Sequence, residues 1–369
     1  MHKDLDAMNN LSEEDRVRLE QTGMMLSAVN RCGSYFQTDQ DVVQSECTYE
    51  GIEMLPTEIA LKKYEWLSDY YWNLVDKDKD EYTRYVAGQK ISGYTIIARK
   101  GSKNIFPLET CLFMQKDEIQ TVHNIVIAEE GAELHLISGC ASSHAVRKGA
   151  HYGVTEFYVG KDALISTTMI HTWGEHVDVY PRSAAVVGEG GTFLSNYVSM
   201  KPVAHIQMYP VARLTGATSV ARFNSVVLAP EGSHLDLGQR AVLEAKGSTA
   251  ELISRVITRG GEVIARSHII GAEEETRGHI ECKGLILDGG SIHAVPEIEG
   301  RLSNTELSHE AAVGKIARDE IEYLMARGLD EEVATATIIR GFLDVRIQGL
   351  PETLQRQIDA AIDAAEDGF

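Results

Sequence analysis

No stretch of this chain approaches the roughly 20 consecutive apolar residues that a bilayer-spanning helix requires. The opening, MHKDLDAMNNLSEEDRVRLE, is polar and acidic, so it reads as neither a secretory signal nor an Arg-rich transit peptide. Both absences point to a cytoplasmic protein with no membrane partner. Basic clusters are missing too. Lys and Arg total 35 against 55 Asp and Glu, giving a net charge of −20. Such a field repels phosphate backbones and argues against nucleic acid as a partner. Cysteine is scarce: Cys32, Cys47, Cys111, Cys140 and Cys282 are odd in number, widely spaced and contain no CxxC pair. That pattern argues against a disulfide framework and against a self-contained zinc or ferredoxin-type site. Any chemistry rests on single thiols. A complete phosphate-binding loop is also lacking, because Ile316 follows Gly314-Lys315 where Ser or Thr is required, and position 309 is not glycine. The chain alone should not hydrolyse ATP.

What is present divides the 369 residues into three textures. Residues 1–88 read as mainly helical: Ser12 with Asp15 resembles a capping box, Thr57 precedes a run with helical apolar period, and DKDKDEY (76–82) is a charged break. From 89 to 305, short β-branched runs such as HNIVIAEE, AELHLIS and RFNSVVLAP alternate with turns at Glu130-Gly131, Lys161-Asp162, Gly190-Gly191, Lys246-Gly247 and Gly289-Gly290. The intervals are multiples of roughly 14 to 16 residues, a solenoid period. Stacked rungs about 4.8 Å apart would bury what one rung cannot. The expectation is a parallel β-helix, with a large β-sandwich as the alternative. Residues 306–369 read as a C-terminal helical domain, in which ELSHEAAVGKI opens the first helix. Gly328 stands at a C′ position, Asp330 caps the next helix and Pro351 starts a third. These helices would cover the solenoid end.

Cys282 lies between apolar Ile280 and Leu285 on an expected rung, and His309 follows 27 residues later, close to two rungs. Cys282, His309 and Glu310 could therefore gather at one end, with His279, Glu281 and His293 nearby. The bland readings are a buried thiol and a helix cap. Cys140, at a strand end, His151 and Trp173 are equally compatible with packing.

LSHEAAVGKI followed by EIEYLMARGLDEEVATATIIRGFL resembles the C-terminal signature of the SufB/SufD family of iron–sulfur cluster assembly proteins. IAEEGAELHLISGC, RGHIEC and IHAVPEIEG extend the resemblance over roughly residues 90–355. Within the family the chain is most similar to the archaeal, single-gene SufB-like branch. The resemblance implies a right-handed parallel β-helix between helical segments. It also implies a cytoplasmic complex with SufC, an ABC-type ATPase bound through helices at about 318–342, so that ATP acts only through the partner. Cys140 matches the cysteine that receives sulfur as a persulfide, and Trp173 a tryptophan of the sulfur path. Cys282 matches the cysteine where the nascent cluster is held. His309 and Glu310 match the His-Glu of an EHEA motif. Ser308 departs from that motif's first glutamate, His171 stands where a path glutamine is expected, and Pro181-Arg182 replaces a Lys-Arg pair.

A scaffold, unlike a permanent site of four thiolates, must release its cluster, so one thiolate with exchangeable ligands suits a transient 4Fe–4S or 2Fe–2S cargo. The expected set is Cys282, His309 and Glu310, assembled across a twofold homodimer formed through the β-helix. Cys140 and Cys282 are 142 residues apart, roughly ten rungs or on the order of 45 Å on this period. Two other classes compete. A cluster-free, SufD-like interaction subunit is disfavoured by Cys282 with the His-Glu pair. A β-helix lyase or acyltransferase is disfavoured by the lack of a calcium carboxylate set or hexapeptide repeat.

Overall fold

The computed structural model describes residues 11–24, 33–287 and 289–343. Strand Thr249–Arg259, TAELISRVITR, illustrates how this sequence builds a coil. Ala250, Leu252, Ser254 and Val256 are buried, while Glu251, Ile253 and Arg255 between them are half-buried. Period-two alternation makes one apolar face that a lone strand cannot hide. Parallel stacking hides it: this strand pairs with Val220–Pro230 on one side and Arg277–Ile286 on the other. A single inward column, Ile165, Phe193, Ala221, Ala250, Gly278 and Leu307, runs through consecutive coils. Sheets of ten and eleven strands face each other over one continuous core. The fold is the expected parallel β-helix, with about eight turns. Each fully buried Leu, Ile or Phe contributes roughly 1.5–3 kcal/mol, and in this column Ile165 and Phe193 are of that kind.

Register partners are 28 or 29 residues apart along most of the stack. The 14–16-residue interval in the sequence is therefore half a coil, because each coil spends one strand on each sheet. One set of stacked turns marks the full period. Gly131, Asp162, Gly190, Thr218, Gly247 and Glu275 all have positive φ, and N–H groups of one turn donate to carbonyls of the next, as from Gly190 to Ala217 (2.9 Å) and Thr218 to Lys246 (3.0 Å). At Gly190 a Cβ would stand 2.3 Å from Asp162 Oδ1, so any other residue there must displace that carboxylate.

Three differences from the sequence reading concern the flanks. Residues 1–88 hold strands as well as helices among the described residues: strands Gly33–Thr38, Asp41–Cys47 and Ile52–Pro56 accompany helices Glu13–Glu20, Thr57–Lys63 and Glu81–Ala87 and the short helix Glu65–Asp69. Gly33–Thr38 adds in parallel to Leu108–Met114 and Asp41–Cys47 folds back on it, a hairpin over the first sheet edge. Residues 306–314 are a strand, not a helix start, so the solenoid continues past 305. Alternating Leu307, His309, Ala311 and Val313 serve a rung as well as a helix face. The last helix, Glu331–Leu343, lies along the outer face of one sheet, where Ile339 is buried with Ile257 and Leu285. It does not cover the end. Among the described residues the final coil is open, with Ile298, Leu302 and Val313 exposed.

The caps expected at Ser12 and Asp330 are present, each accepting a backbone N–H three residues on, as is the positive φ of Gly328. Pro351 lies outside the described residues. The charged break is also a cap: Asp80 and Thr83 bond reciprocally at the start of Glu81–Ala87.

Candidate functional site

Strand Glu133–Ser142 turns Cys140 inward by alternation with Leu134 and Leu136, leaving it 1% exposed. Burial pushes its thiol up to about 12. Its register partner on the next coil is His171, whose Nδ1 lies 2.9 Å from Tyr197 Oη. Burial, helped by nearby His151, depresses His171 to about 3. His151, also buried and depressed to about 4, rests against Gln120 (2.9 Å). Trp173 contacts both imidazoles, with ring centroids 5.0 Å from His151 and 5.6 Å from His171. Among the described residues its indole Nε1 has no hydrogen-bond partner. The structure thus brings Cys140 and Trp173 to one buried, neutral chamber around His171.

Cys282 is inward on Arg277–Ile286 and 2% exposed. Its register column is Tyr197, Ser225, Ser254 and Cys282. From the facing sheet Gln239 Nε2 donates to Ser267 Oγ (3.4 Å), which is 3.5 Å from Cys282 Sγ. A cavity of about 30 Å³ between the sheets touches Tyr197, Ser225, Gln239 and Ser254, about the room of one water. A polar lane therefore runs inside an otherwise apolar core, from the imidazole beside Cys140 to Cys282. The thiols are five coils apart, on the order of 24 Å, not ten rungs and 45 Å. Sequence reading missed Tyr197, Ser225, Gln239, Ser254 and Ser267. Their signal is a polar residue at an inward position, visible only once each strand's parity is known.

His309 is one coil from Cys282, on the last strand. It stands over Ile280, while Ala311 stands over Cys282. His309 and Cys282 thus share the inward side as diagonal neighbours, His309 at the open end and Cys282 one layer beneath. Glu310 does not join them. Strand alternation sends it outward over Glu281, where Lys283 reaches Glu310 at 3.3 Å and Glu281 at 2.6 Å. Arg255 also binds Glu281. Among the described residues no group of three or more His, Cys, Asp or Glu is arranged to hold a metal. His279 is bonded to Ser308 (2.9 Å) on that outer face, and His293 is exposed. Arg182 faces away from the interior, tied to Asp80 (2.6 Å) and Gln207 (2.8 Å), so Pro181-Arg182 fastens helix Glu81–Ala87 rather than lining the lane.

The family model described as SUF system FeS cluster assembly, SufBD core domain, matches residues 112–342, which include both thiols, Trp173, His309 and Glu310. The chain belongs to the SufBD family. A protein of Archaeoglobus fulgidus named iron-sulfur cluster assembly SufBD family protein is 49% identical over 353 residues, covering 95% of each chain. One of the same name from Methanothermobacter thermautotrophicus strain Delta H is 41% identical over 375 residues, 100% of this chain and 92% of its own. A third, from Pyrococcus horikoshii, is 30% identical over 348 residues, 91% and 77%. The SufBD core thus comprises most of the solenoid, its uncovered end and the two following helices. No helix among its described residues is long and apolar enough to cross a membrane.

Proposed function

We propose that this SufBD protein is a scaffold of iron–sulfur cluster assembly: it accepts sulfur at Cys140 and holds a nascent cluster, its cargo, at Cys282 and His309. One observation carries the reading. A buried thiol and an exposed imidazole share the inward side of the last two coils, at an end of the solenoid left uncovered among the described residues. Thiolate with imidazole is a donor set that iron accepts, and fewer than four thiolates leave the cargo exchangeable.

Sulfur arrives as the outer atom of a persulfide. The Cys140 thiolate attacks it, the donor's S–S bond breaks, and the donor leaves as a thiolate that takes up the proton Cys140 lost. The polar lane marks the onward route to Cys282. Glu310, already paired with Lys283, joins the iron ligands only by giving up that ion pair.

Among the described residues the final strands Ser291–Gly300 and Glu306–Gly314 each pair on one side only, so two copies can meet end to end about a twofold axis. Each end then offers its imidazole to the other copy's thiol. A SufC-type ATPase would bind helices Arg318–Met325 and Glu331–Leu343, the first of which begins four residues beyond the end of the last strand. Closure of that partner on ATP would pull the strand away from Cys282, a switch with no covalent chemistry in this chain. Anaerobic reconstitution with iron and sulfide tests the site. Wild type should gain iron and sulfide absorbance, Cys282→Ser and His309→Ala should not, and retention in both variants would remove the site.

A further inference from the structure

Persulfide sulfur passes from thiol to thiol by direct attack, yet no cysteine stands between Cys140 and Cys282 in the chain. Four strands, Leu164–Thr172, Thr192–Ser199, Val220–Pro230 and Thr249–Arg259, separate the strands of the two thiols on their shared sheet. The gap of about 24 Å therefore has no thiol to carry sulfur across it. Two cavities occupy that same stretch of the interior. One of about 50 Å³ begins at Thr167 and Met169, and the next, of about 30 Å³, ends at Ser254 and Val256. Both are lined by Ser195, Tyr197 and Phe223, so they abut. Between them they touch all four intervening strands.

The lining suits a small, soft and uncharged guest. Met169, Met208 and the rings of Phe193 and Phe223 present polarizable surface, against which sulfur packs favourably. Among the described residues the linings hold one charged side chain, Arg266, which Asp236 engages on the outer face at 2.7 Å. An anion between the sheets would be buried without a counter-charge, which is costly. Ser254 Oγ is buried and has no hydrogen-bond partner among the described residues. A neutral S–H group, a weak donor and weak acceptor, can meet that hydroxyl and leave its remaining surface against carbon.

We infer that the joined cavities bind neutral hydrogen sulfide, and that sulfur crosses from Cys140 to the cluster end in that form. The inference rests on the reading of Cys140 as the sulfur acceptor and of Cys282 as the cluster site, and adds the chemical form of the sulfur between them. The bridging sulfurs of a cluster are sulfide, whereas the outer sulfur of a persulfide is two electrons more oxidised, so a reductant acts on the way. A small thiol supplies those electrons, and the persulfide donor becomes such a thiol once it has given up its sulfur. Its thiolate attacks the Cys140 sulfur and the persulfide S–S bond breaks. The outer sulfur leaves as hydrosulfide and takes the attacking thiol's proton. A second thiol then clears the mixed disulfide from Cys140, so that two thiols end as one disulfide.

The experiment uses the full chain and two readouts. Iron-free crystals are equilibrated with sulfide, and the cavities are examined by sulfur anomalous scattering. Separately, Cys140 is loaded with radiolabelled sulfur from a small persulfide, and iron is added with or without dithiothreitol. Excess unlabelled sulfide outside dilutes any label that escapes, and the label reaching iron is counted as acid-labile sulfide. Wild type should show sulfur in the cavities and pass label to iron only with dithiothreitol present. Ser195→Val with Ser225→Val, which fills the cavities with methyl groups, should lose the anomalous peak and slow label transfer about tenfold or more. Its melting temperature should stay within a few degrees of wild type. Ser225→Ala, which leaves the space open, should keep both the peak and the rate. Ordered water in wild type where sulfide should lie overturns the inference. So does label transfer at the wild-type rate through filled cavities, or label found as a persulfide on Cys282 with no thiol added. If sulfide occupies the cavities and Cys140 takes up no label, the binding site stands and the acceptor reading fails.

Discussion

Ala311, not His309, lies directly over Cys282; His309 stands two residues earlier on the same strand, over Ile280. The lid on the buried thiol is thus a single methyl on an exposed strand. Ala311→Phe should cost little stability, within about 0.5 kcal/mol for an exposed site. It should nevertheless block iron uptake as fully as Cys282→Ser, because it obstructs approach without removing a donor. Iron content and a denaturant midpoint on the same sample check this; full iron uptake by Ala311→Phe would mean that iron does not approach through the last coil.

Glu310 makes a contrasting case. Its carboxylate is on the opposite side of the strand from His309 and bound by Lys283. Glu310→Ala should keep more than half of the iron that His309→Ala loses. Equal losses in the two variants would show that the outer face takes part.

Acid should loosen the chamber around Trp173. His151 and His171 are held neutral, near 4 and 3, by burial, against about 6.5 in an unfolded chain. The unfolded state therefore binds more protons as pH falls below about 6.5. The stability this gives is complete above that pH and declines as pH drops toward the folded values. Between pH 6.5 and 5 the two together should cost roughly 3 to 4 kcal/mol. His171→Gln should remove about half of that decline in urea midpoints, whereas an unchanged pH profile would contradict burial as its cause.

Cys140 should be slow to alkylate in the native state. A thiol near 12 has on the order of 1000-fold less thiolate at pH 8 than an ordinary one. Cys111, its thiol also pushed up by burial first and by nearby Cys140 and Glu109, should behave likewise. Half-buried Cys47 should react ahead of both, as followed by peptide mass with iodoacetamide.

The outer clamp offers a stability test on the outer face of the solenoid. Glu156 and His123 are both buried, with Nε2 and Oε2 2.8 Å apart, and Glu156 also accepts the backbone N–H groups of Trp72, Leu74 and Val75. Removing that carboxylate leaves four donors facing an apolar sheet. Glu156→Ala should cost about 3–5 kcal/mol and open residues 65–80 to proteolysis. A midpoint within 1 kcal/mol of wild type would contradict the clamp.

Much of this was legible in the sequence, and the failures have physical causes. Alternation and turn spacing carried the β-helix, but spacing alone cannot tell a half-coil from a coil, because both sheets use similar strands and turns. Only the hydrogen-bonded register, such as Ala221 to Ala250, fixes the doubling, and with it the halved distance between the thiols. ELSHEAAVG reads as helix because alanine and glutamate favour helices; pairing with Arg277–Ile286 overrides that propensity. The grouping of Glu310 with His309 rests on their adjacency and on the motif they resemble, and adjacent residues on a strand point to opposite faces. The serines of the lane look like ordinary surface residues until parity turns them inward.

The central claim is that Cys282 and His309 hold iron jointly, each from a different copy of the chain. Mixing Cys282→Ser with His309→Ala before anaerobic reconstitution tests it most directly. Random reassortment puts half of the dimers in the mixed form, and each mixed dimer keeps one of its two sites, so iron should return to about a quarter of the wild-type amount. A mixture that binds no more iron than either variant alone would contradict the account.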